Sequence, residues 1–508
     1  MVLIFSGLLV SLEANTTAPS VGKTAYRILA PSLPSTNSSE IRQFQIPTPE
    51  SGPNAIVSGP NDTLWFVEYL SGKIGEFFVS NSSFREFQIP ESGAVPSSLA
   101  LDHFGNVWFS DQKGSGSIWM LNPSTDQFRQ FNTTSKNSKP LFILVDNEND
   151  IWFTEITTNK IGVLIHPNYN MIEYTLPTPN SEPVELSFGT NQSRIWITET
   201  NTGKIAEFNT ISDDFLEYSP PPSVSLKNPV GIVVDDRGNV WVSEHGGSGV
   251  VELIPSNSTF RKFPTSISPS SSYPISAVAT LAIDSQGRLW FVEHFSNKVG
   301  RLDPSTGMIE EFQIPNSGLA YSVLNTLDPE GNFWFTNFAA DTINEIPSNA
   351  SSPVITKVSL GDPIASVSTG ETVNAVVSVT NTLSVPIVVN LGASSSFTST
   401  GVTSSKEVSF NASSLDIPAG ETAYASAKIT PDTSLSSGTY SVGIVASANN
   451  ESTIGIAFLS VRASSSVPAW FESNYPFVLV GVIVVLIVAY FAISTVRPSG
   501  KNRKEKGS

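Results

Sequence analysis

Between residues 40 and 350 the apolar positions fall in short alternating runs broken by Gly, Asp, Asn and Pro, the pattern of strands and tight turns rather than helices. Runs such as VGIVVD (230–235) and ATLAID (279–284) are followed by turns DDRGN and DSQGR, and then by tryptophan-bearing runs VWVSE and LWFVE. Asp opens such turns by bonding its own backbone, and Gly supplies the positive φ they need. A third run reads KIGEF (73–77) or KVGRL (298–302), and a fourth ends in EFQIP, EYTLP or EYSPP. Seven tryptophans, Trp65, Trp108, Trp152, Trp196, Trp241, Trp290 and Trp334, mark the repeat at intervals near 44 residues. A strand-rich period of that length predicts a β-propeller with one four-stranded blade per repeat.

Six closing runs follow the seven Trp runs, near residues 86, 130, 173, 217, 262 and 311. The seventh repeat loses the pattern after 341–347, and the missing phrase, IRQFQIP, stands at 41–47, ahead of the first repeat. An open ring would leave two unpaired strand edges. The expectation is therefore an all-β, seven-bladed propeller over 40–350, closed by an N-terminal outer strand.

Beyond it, 351–362 reads as a Ser/Pro/Gly linker, and 363–462 carries alternating strands without Trp, the size and pattern of an immunoglobulin-like β-sandwich. The stretch IPAGETA…ITP…SSGTYSVGIVA is similar to adhesion-type sandwiches of bacterial and archaeal surface proteins, which implies a stalk. After a spacer at 463–474, residues 477–496 are twenty without a charge. At about 1.5 Å per residue they reach roughly 30 Å, enough for one transmembrane helix. The tail 497–508 sets five basic residues against Glu505, which predicts a cytoplasmic end and an extracellular bulk. VLIFSGLLVSL at 2–12 has the length of a secretory h-region but no preceding positive charge; 1–20 is expected as a signal peptide.

Composition narrows the chemistry. A formal charge of −17 argues against nucleic acid, and the absence of Cys removes disulfides, thiolate metal sites and a cysteine nucleophile. Ten N-x-S/T sequons, from Asn15 to Asn450, fit a glycosylatable surface, although a chain rich in Asn, Ser and Thr produces several by chance. There is no G-x-S-x-G elbow, P-loop or H-E-x-x-H.

Three residues after each Trp stand Glu68, Asp111, Glu155, Glu199, Glu244, Glu293 and Asn337. These define a candidate ligand-binding face at the ends of the Trp strands, called the upper face here. Four of them precede Lys73, Lys160, Lys204 and Lys298 by five residues, so cross-strand Glu–Lys pairing is the competing explanation. Two adjacent repeats add histidine next to the acid: Glu244-His245 and Glu293-His294. They are candidates for a metal site or an acid–base pair, against the alternative of loop histidines inherited with the repeat. His103 and His166 lie elsewhere, and Asp102, Asp146, Asp235, Asp284 and Asp328 read as turn residues on the lower face. Residues 265–274, TSISPSSSYP, predict an exposed loop on the upper face.

The segments GPNAIVSGPNDTLWFVEYLSGKIGEF (52–77) and DIWFTEITTNKIG (150–162) resemble the virginiamycin B lyase, or streptogramin lyase, family, whose blades repeat P-x-G-I, D-G-x-[IL]-WFTE and NKIGR. The resemblance covers about 40–350. It implies a seven-bladed propeller and Mg²⁺-dependent ester-opening elimination, with catalytic His in P-H-G/A-I at the start of the innermost strand in the last blades, one Glu before that Pro and another after the last Trp. The matching positions here read PNAI (Asn54), PSSL (Ser97), PLFI (Leu141), PVEL (Val184) and PVGI (Val230), while SAVATLAI and SVLNTL keep neither Pro nor His. Glu182-Pro183 keeps the acid and the proline, Val184 takes the place of the base, and TNFAAD after the last Trp has no Glu. Three readings follow: a surface module that binds a small molecule, glycan or surface protein; a Mg²⁺-dependent lyase or hydrolase rebuilt on His245, His294, Glu244 and Glu293; and a structural surface-layer or adhesion component.

Overall fold

The computed structural model describes residues 2–5, 8–11, 41–267, 273–315, 322–352, 354–359, 365–395, 397, 406–448 and 451–463. The expected membrane span at 477–496, the basic tail and nearly all of the spacer lie outside these residues. Of the N-terminal apolar run, Val2–Phe5 and Leu8–Ser11 are described, as two paired antiparallel strands. Among the described residues no helix is long and apolar enough to cross a membrane.

The protein is all-β with propeller-like repetition. Each Trp strand is second in an antiparallel meander of four. The first meander is Pro53–Ser58, Thr63–Glu68, Lys73–Phe78 and Ser83–Gln88. Five more follow with the same order, and the seventh is Thr326–Leu327, Phe333–Asn337, Thr342–Ile346 and, from the other end of the repeat region, Arg42–Gln45. This strand pairs with the expected partner, Gln43 opposite Asn344 and Phe44 opposite Ile343. Phe44 stacks on Trp334 at 5.7 Å and touches Phe77 of the first sheet at 4.9 Å. The first and seventh sheets also meet on the inside, where Ile56 N–H donates to Leu324 O at 3.2 Å.

Two sequence motifs acquire a physical cause. Gly75, Gly162 and Gly300 of the K-[IV]-G runs lie under Phe66, Phe153 and Phe291; a Cβ at any of them would stand 2.0–2.2 Å from the ring. Each turn aspartate, besides closing its own turn, accepts the indole N–H of the Trp six residues later, as in Asp284 with Trp290 at 3.0 Å and Asp328 with Trp334 at 2.7 Å. The turn and the core of the sheet are thereby locked together.

The C-terminal region forms two sheets around one apolar cluster that includes Val377, Val379, Val389, Ala427, Val442, Ile444 and Leu459. Residues Val354–Ser359, expected within a linker, form a strand paired with Val373–Asn381. The region is also not held at a distance from the repeats. Glu451–Arg462 adds to the outer strand of the sixth sheet, with Ile309 opposite Ile454 and Glu311 opposite Ser452. Ile454 and Ile456 join Trp241, Phe263 and Ile309 in one core. Repeats and C-terminal region fall in one compact unit ending at Arg462 and share this sheet.

Candidate functional site

All seven side chains three residues beyond Trp are fully buried, so the ring of acids does not line an open surface. The second strand runs up to this rim, and its last residue pairs with the first residue of the third strand: Glu68 with Lys73, Glu155 with Lys160, Glu199 with Lys204, Glu293 with Lys298. The lysines are neighbours of these acids, as expected, but their ion pairs go to a different carboxylate, on the fourth strand thirteen residues on. Lys73–Glu86, Lys160–Glu173, Lys204–Glu217 and Lys298–Glu311 are each closed at 2.7–2.8 Å. That second Glu is the one in the closing phrase.

A hydroxyl from the preceding repeat completes each pair. Thr48, Ser135, Thr178 and Ser266, each just past an outer strand, bond the Lys and Glu of the next sheet. Thr48 belongs to the N-terminal segment, so that one segment supplies the seventh sheet's outer strand and the first sheet's hydroxyl. The other three sheets vary the theme together. The second and seventh are neutral, with Gln130 bonding Ser117 and Gln43 bonding Asn344. In the fifth, Lys262 stands opposite Val251 on the fourth strand, where four other sheets carry Glu, and pairs directly with Glu244.

Electrostatics follow from this division. Burial pushes Glu68, Glu155 and Glu199 up to about 7, only partly offset by the hydroxyls of Ser71, Thr158 and Thr202. Burial, reinforced by the Glu311 charge, also raises Glu293 well above the usual carboxylate range. On Glu173 burial is outweighed by hydrogen bonds from Lys160, Ser135 and Thr134, which hold it at about 2. In these four sheets the inner acids thus hold their protons far more tightly than the outer acids, which are the charged partners of lysine.

The two histidines do converge. His245 and His294 follow the Trp strands of the fifth and sixth sheets, and His245 Nε2 lies 3.1 Å from His294 Nδ1. Nε2 of His294 lies 3.1 Å from Ser322 O and 3.2 Å from Ser322 N. One tautomer donates to the carbonyl and the other accepts from the amide, and the choice fixes the proton between the two rings. A hydrogen-bonded chain thus crosses three consecutive sheets. Ser322 occupies the position held in the first five sheets by Pro, which has no N–H to offer. Burial lowers His245 to about 4, and burial with the neighbouring imidazole lowers His294 to about 3, so both are neutral at pH 7. Beside them Tyr273 stacks on Phe295 at 4.1 Å, with Ile275 and Ala277 beneath. The loop expected at 265–274 begins buried, not exposed: Thr265 bonds Ser276 at 2.6 Å and Ser266 caps Glu311; residues 268–272 lie outside the described set.

In the last two sheets, where the resemblance places the bases, stand buried Ala279 and Val323; at the equivalent positions of the third to fifth sheets Leu141, Val184 and Val230 form a buried apolar cluster with Ile156. One residue further along the inner strand, Glu185 is buried, and desolvation raises it well above the usual carboxylate range despite a hydrogen bond from Ile232 N–H. The donor set does not fit Mg²⁺, which takes hard oxygen ligands in an octahedron. The ring carboxylates are sealed inside their sheets, and the site offers imidazole nitrogens already engaged with each other and with Ser322. Among the described residues no three His, Cys, Asp or Glu side chains converge on a point.

Comparison with known proteins follows the same lines. The sequence matches the model of the virginiamycin B lyase family over residues 35–248 and 83–365. No curated protein matches it. Among solved structures, a streptogramin B lyase superposes with a TM-score of 0.54 at 24% identity, covering 60% of this chain and 96% of that one. A virginiamycin B lyase from Staphylococcus aureus gives 0.53 at 22%, covering 61% and 99%. A catalytically inactive variant of the S. aureus enzyme, solved with quinupristin, gives 0.53 at 23%, covering 61% and 99%. At these identities the likeness establishes the fold alone.

Proposed function

The chain belongs to the virginiamycin B lyase family, and from that premise we propose that it is a ligand-binding or interaction module held at the cell surface, with the family's chemistry lost. In this reading seven blades close into a ring, the C-terminal region is an immunoglobulin-like sandwich, and residues 477–496 anchor the whole as a single-pass helix with the repeats outside. The paired strand Arg42–Gln45 and the inner contact between Ile56 and Leu324 support the ring; the uncharged run and basic tail support the anchor. The observation that carries the loss of chemistry is that buried Ala279 and Val323 stand at the base positions of the last two sheets, as Leu141, Val184 and Val230 do in the third to fifth. Aliphatic side chains cannot take a proton.

The ligand would sit on the upper rim near His245, Tyr273 and Phe295, where a half-buried imidazole borders an aromatic stack. Such a surface offers a hydrogen-bonding edge beside an apolar face, suited to a glycan, a peptide or a small metabolite. The test is binding of the detergent-solubilised full chain to glycan, peptide and metabolite arrays. Saturable binding weakened at least tenfold by Tyr273→Ala is expected, and silence across every array would count against the reading.

A second reading is favoured by the 3.1 Å contact between His245 and His294. Two neutral imidazoles in series make a proton relay, and a relay at the correct rim is what a rebuilt lyase or hydrolase would need. Turnover of a depsipeptide or lactone panel, abolished by His294→Ala, would establish it.

A further inference from the structure

We infer that the rim opposite the histidines is a glycan-bearing face, modified at Asn81, Asn191 and Asn257. The inference rests on the cell-surface reading above. In each meander the first strand turns into the second, and the third into the fourth, at the lower rim. Of the six sequons in the described part of the repeats, five lie there. Asn61 and Asn191 stand in first-to-second turns, Asn81 and Asn257 in third-to-fourth turns, and Asn349 follows the seventh sheet's third strand. All five are exposed. Asn132, at the upper end of its outer strand, is the exception.

Exposure alone does not select among them; the local geometry does. In three sequons the motif closes on itself. Asn81 Oδ1 accepts from Ser83 N at 3.0 Å and from Ser83 Oγ at 2.7 Å. Asn191 Oδ1 accepts from Ser193 N at 3.3 Å and Ser193 Oγ at 2.8 Å. Asn257 Oδ1 accepts from Thr259 N at 3.0 Å. The turn holds the side-chain carbonyl and projects the asparagine outward beside its hydroxyl partner, so amide and hydroxyl are presented together. Two of the three remaining sequons of the repeats, those of Asn61 and Asn132, differ. Thr63, the hydroxyl of the Asn61 sequon, is buried and donates to Pro60 O at 2.8 Å. Thr134, the hydroxyl of the Asn132 sequon, is committed to Glu173. Those two motifs are present in sequence but dismantled by the fold.

The chemistry is transfer from a polyprenyl-phosphate- or diphosphate-linked oligosaccharide. The asparagine Nδ2 bonds to the anomeric carbon, the bond from that carbon to the phosphate oxygen breaks, and the phosphate leaves with the electron pair as Nδ2 gives up one proton. The modified hairpins belong to the first, fourth and fifth sheets, so the glycans spread around the lower rim. A partner must then approach from the upper rim, where His245, Tyr273 and Phe295 lie.

The test is site mapping of the full-length protein purified from its native host, with intact cells first labelled by a membrane-impermeant amine reagent. Glycopeptides are expected at Asn81, Asn191 and Asn257, with Asn61 and Asn132 at least tenfold less occupied; the triple Asn→Gln variant loses the corresponding mass. Unmodified asparagine at all three sites in surface-labelled protein overturns this inference and leaves the surface reading standing. Equal occupancy at Asn61 and Asn132 overturns the geometric selection. Failure of the reagent to label the protein on intact cells overturns the surface reading, and this inference with it.

Discussion

Replacing Lys262 by Met probes the one place where the repeated charge pattern is transposed. Lys262 and Glu244 are almost wholly removed from solvent, with side-chain exposures of 1% and 0%. Glu244 also accepts from Lys227 N–H and Ser248 N–H, so it is fixed in place and cannot follow a lost partner to water. Removing one member of such a pair strands the other, at a cost of about 3–5 kcal/mol. A unit of about 400 residues has an unfolding entropy near 0.8 kcal/mol/K at roughly 2.1 cal/mol/K per residue, so Tm should fall by about 4–6 °C. The control is Lys73→Met, where Lys73 and Glu86 keep 22% and 18% exposure; a partly exposed pair is worth about 0.2–1 kcal/mol, hence a shift of about 1 °C or less. The double variant Glu244→Gln/Lys262→Met removes both charges and should recover most of the loss. Calorimetry or thermal unfolding by near-UV circular dichroism reads all three. A Lys262→Met shift no larger than that of Lys73→Met would refute the argument, as would a double variant no more stable than the single one.

Three further outcomes follow from the same geometry. Glu155, whose folded value lies near 7, binds its proton more tightly folded than unfolded, so its ionisation weakens the fold as pH rises from about 4.5 to 7; Glu155→Gln should therefore gain stability relative to wild type at pH 8 and none at pH 4, and an equal effect at both would contradict this. Glu173, held at about 2, works in the opposite sense, so Glu173→Gln should destabilise at pH 7 and approach wild type near pH 2 as the native carboxylate is itself protonated. Phe44→Ala, which removes the ring packed on Trp334 and Phe77, should cost about 3 kcal/mol and expose residues 341–347 to hydrogen exchange before any other third strand; uniform exchange across the third strands would contradict it.

What could be read in the sequence was whatever the repeat copies. Trp spacing, the turn aspartates and the displaced phrase IRQFQIP recur at fixed offsets, so the strand order and the partner of residues 342–346 followed from counting. The meeting of His245 and His294 was legible for the same reason: identical positions in adjacent repeats must lie side by side. Pairing beyond the nearest hairpin was harder to read. Glu68 and Lys73 face each other across a turn, and that proximity concealed the stronger partner, Glu86, although the thirteen-residue interval recurs in four sheets. The burial of the ring acids was also hidden, because an acidic residue at a strand end reads as exposed until neighbouring sheets cover it. The addition of Glu451–Arg462 to the sixth sheet lay beyond any periodicity. It joins two regions with different repeats, through backbone groups that every sequence carries.

The most direct test of the functional account is incubation of the purified full chain with a streptogramin B depsipeptide and Mg²⁺, followed by chromatography and mass analysis of the macrocycle. With Ala279 and Val323 at the positions of the family's bases, the account predicts an intact ring at the rate seen in buffer. Magnesium-dependent accumulation of the linear product, lost in His294→Ala, would contradict it.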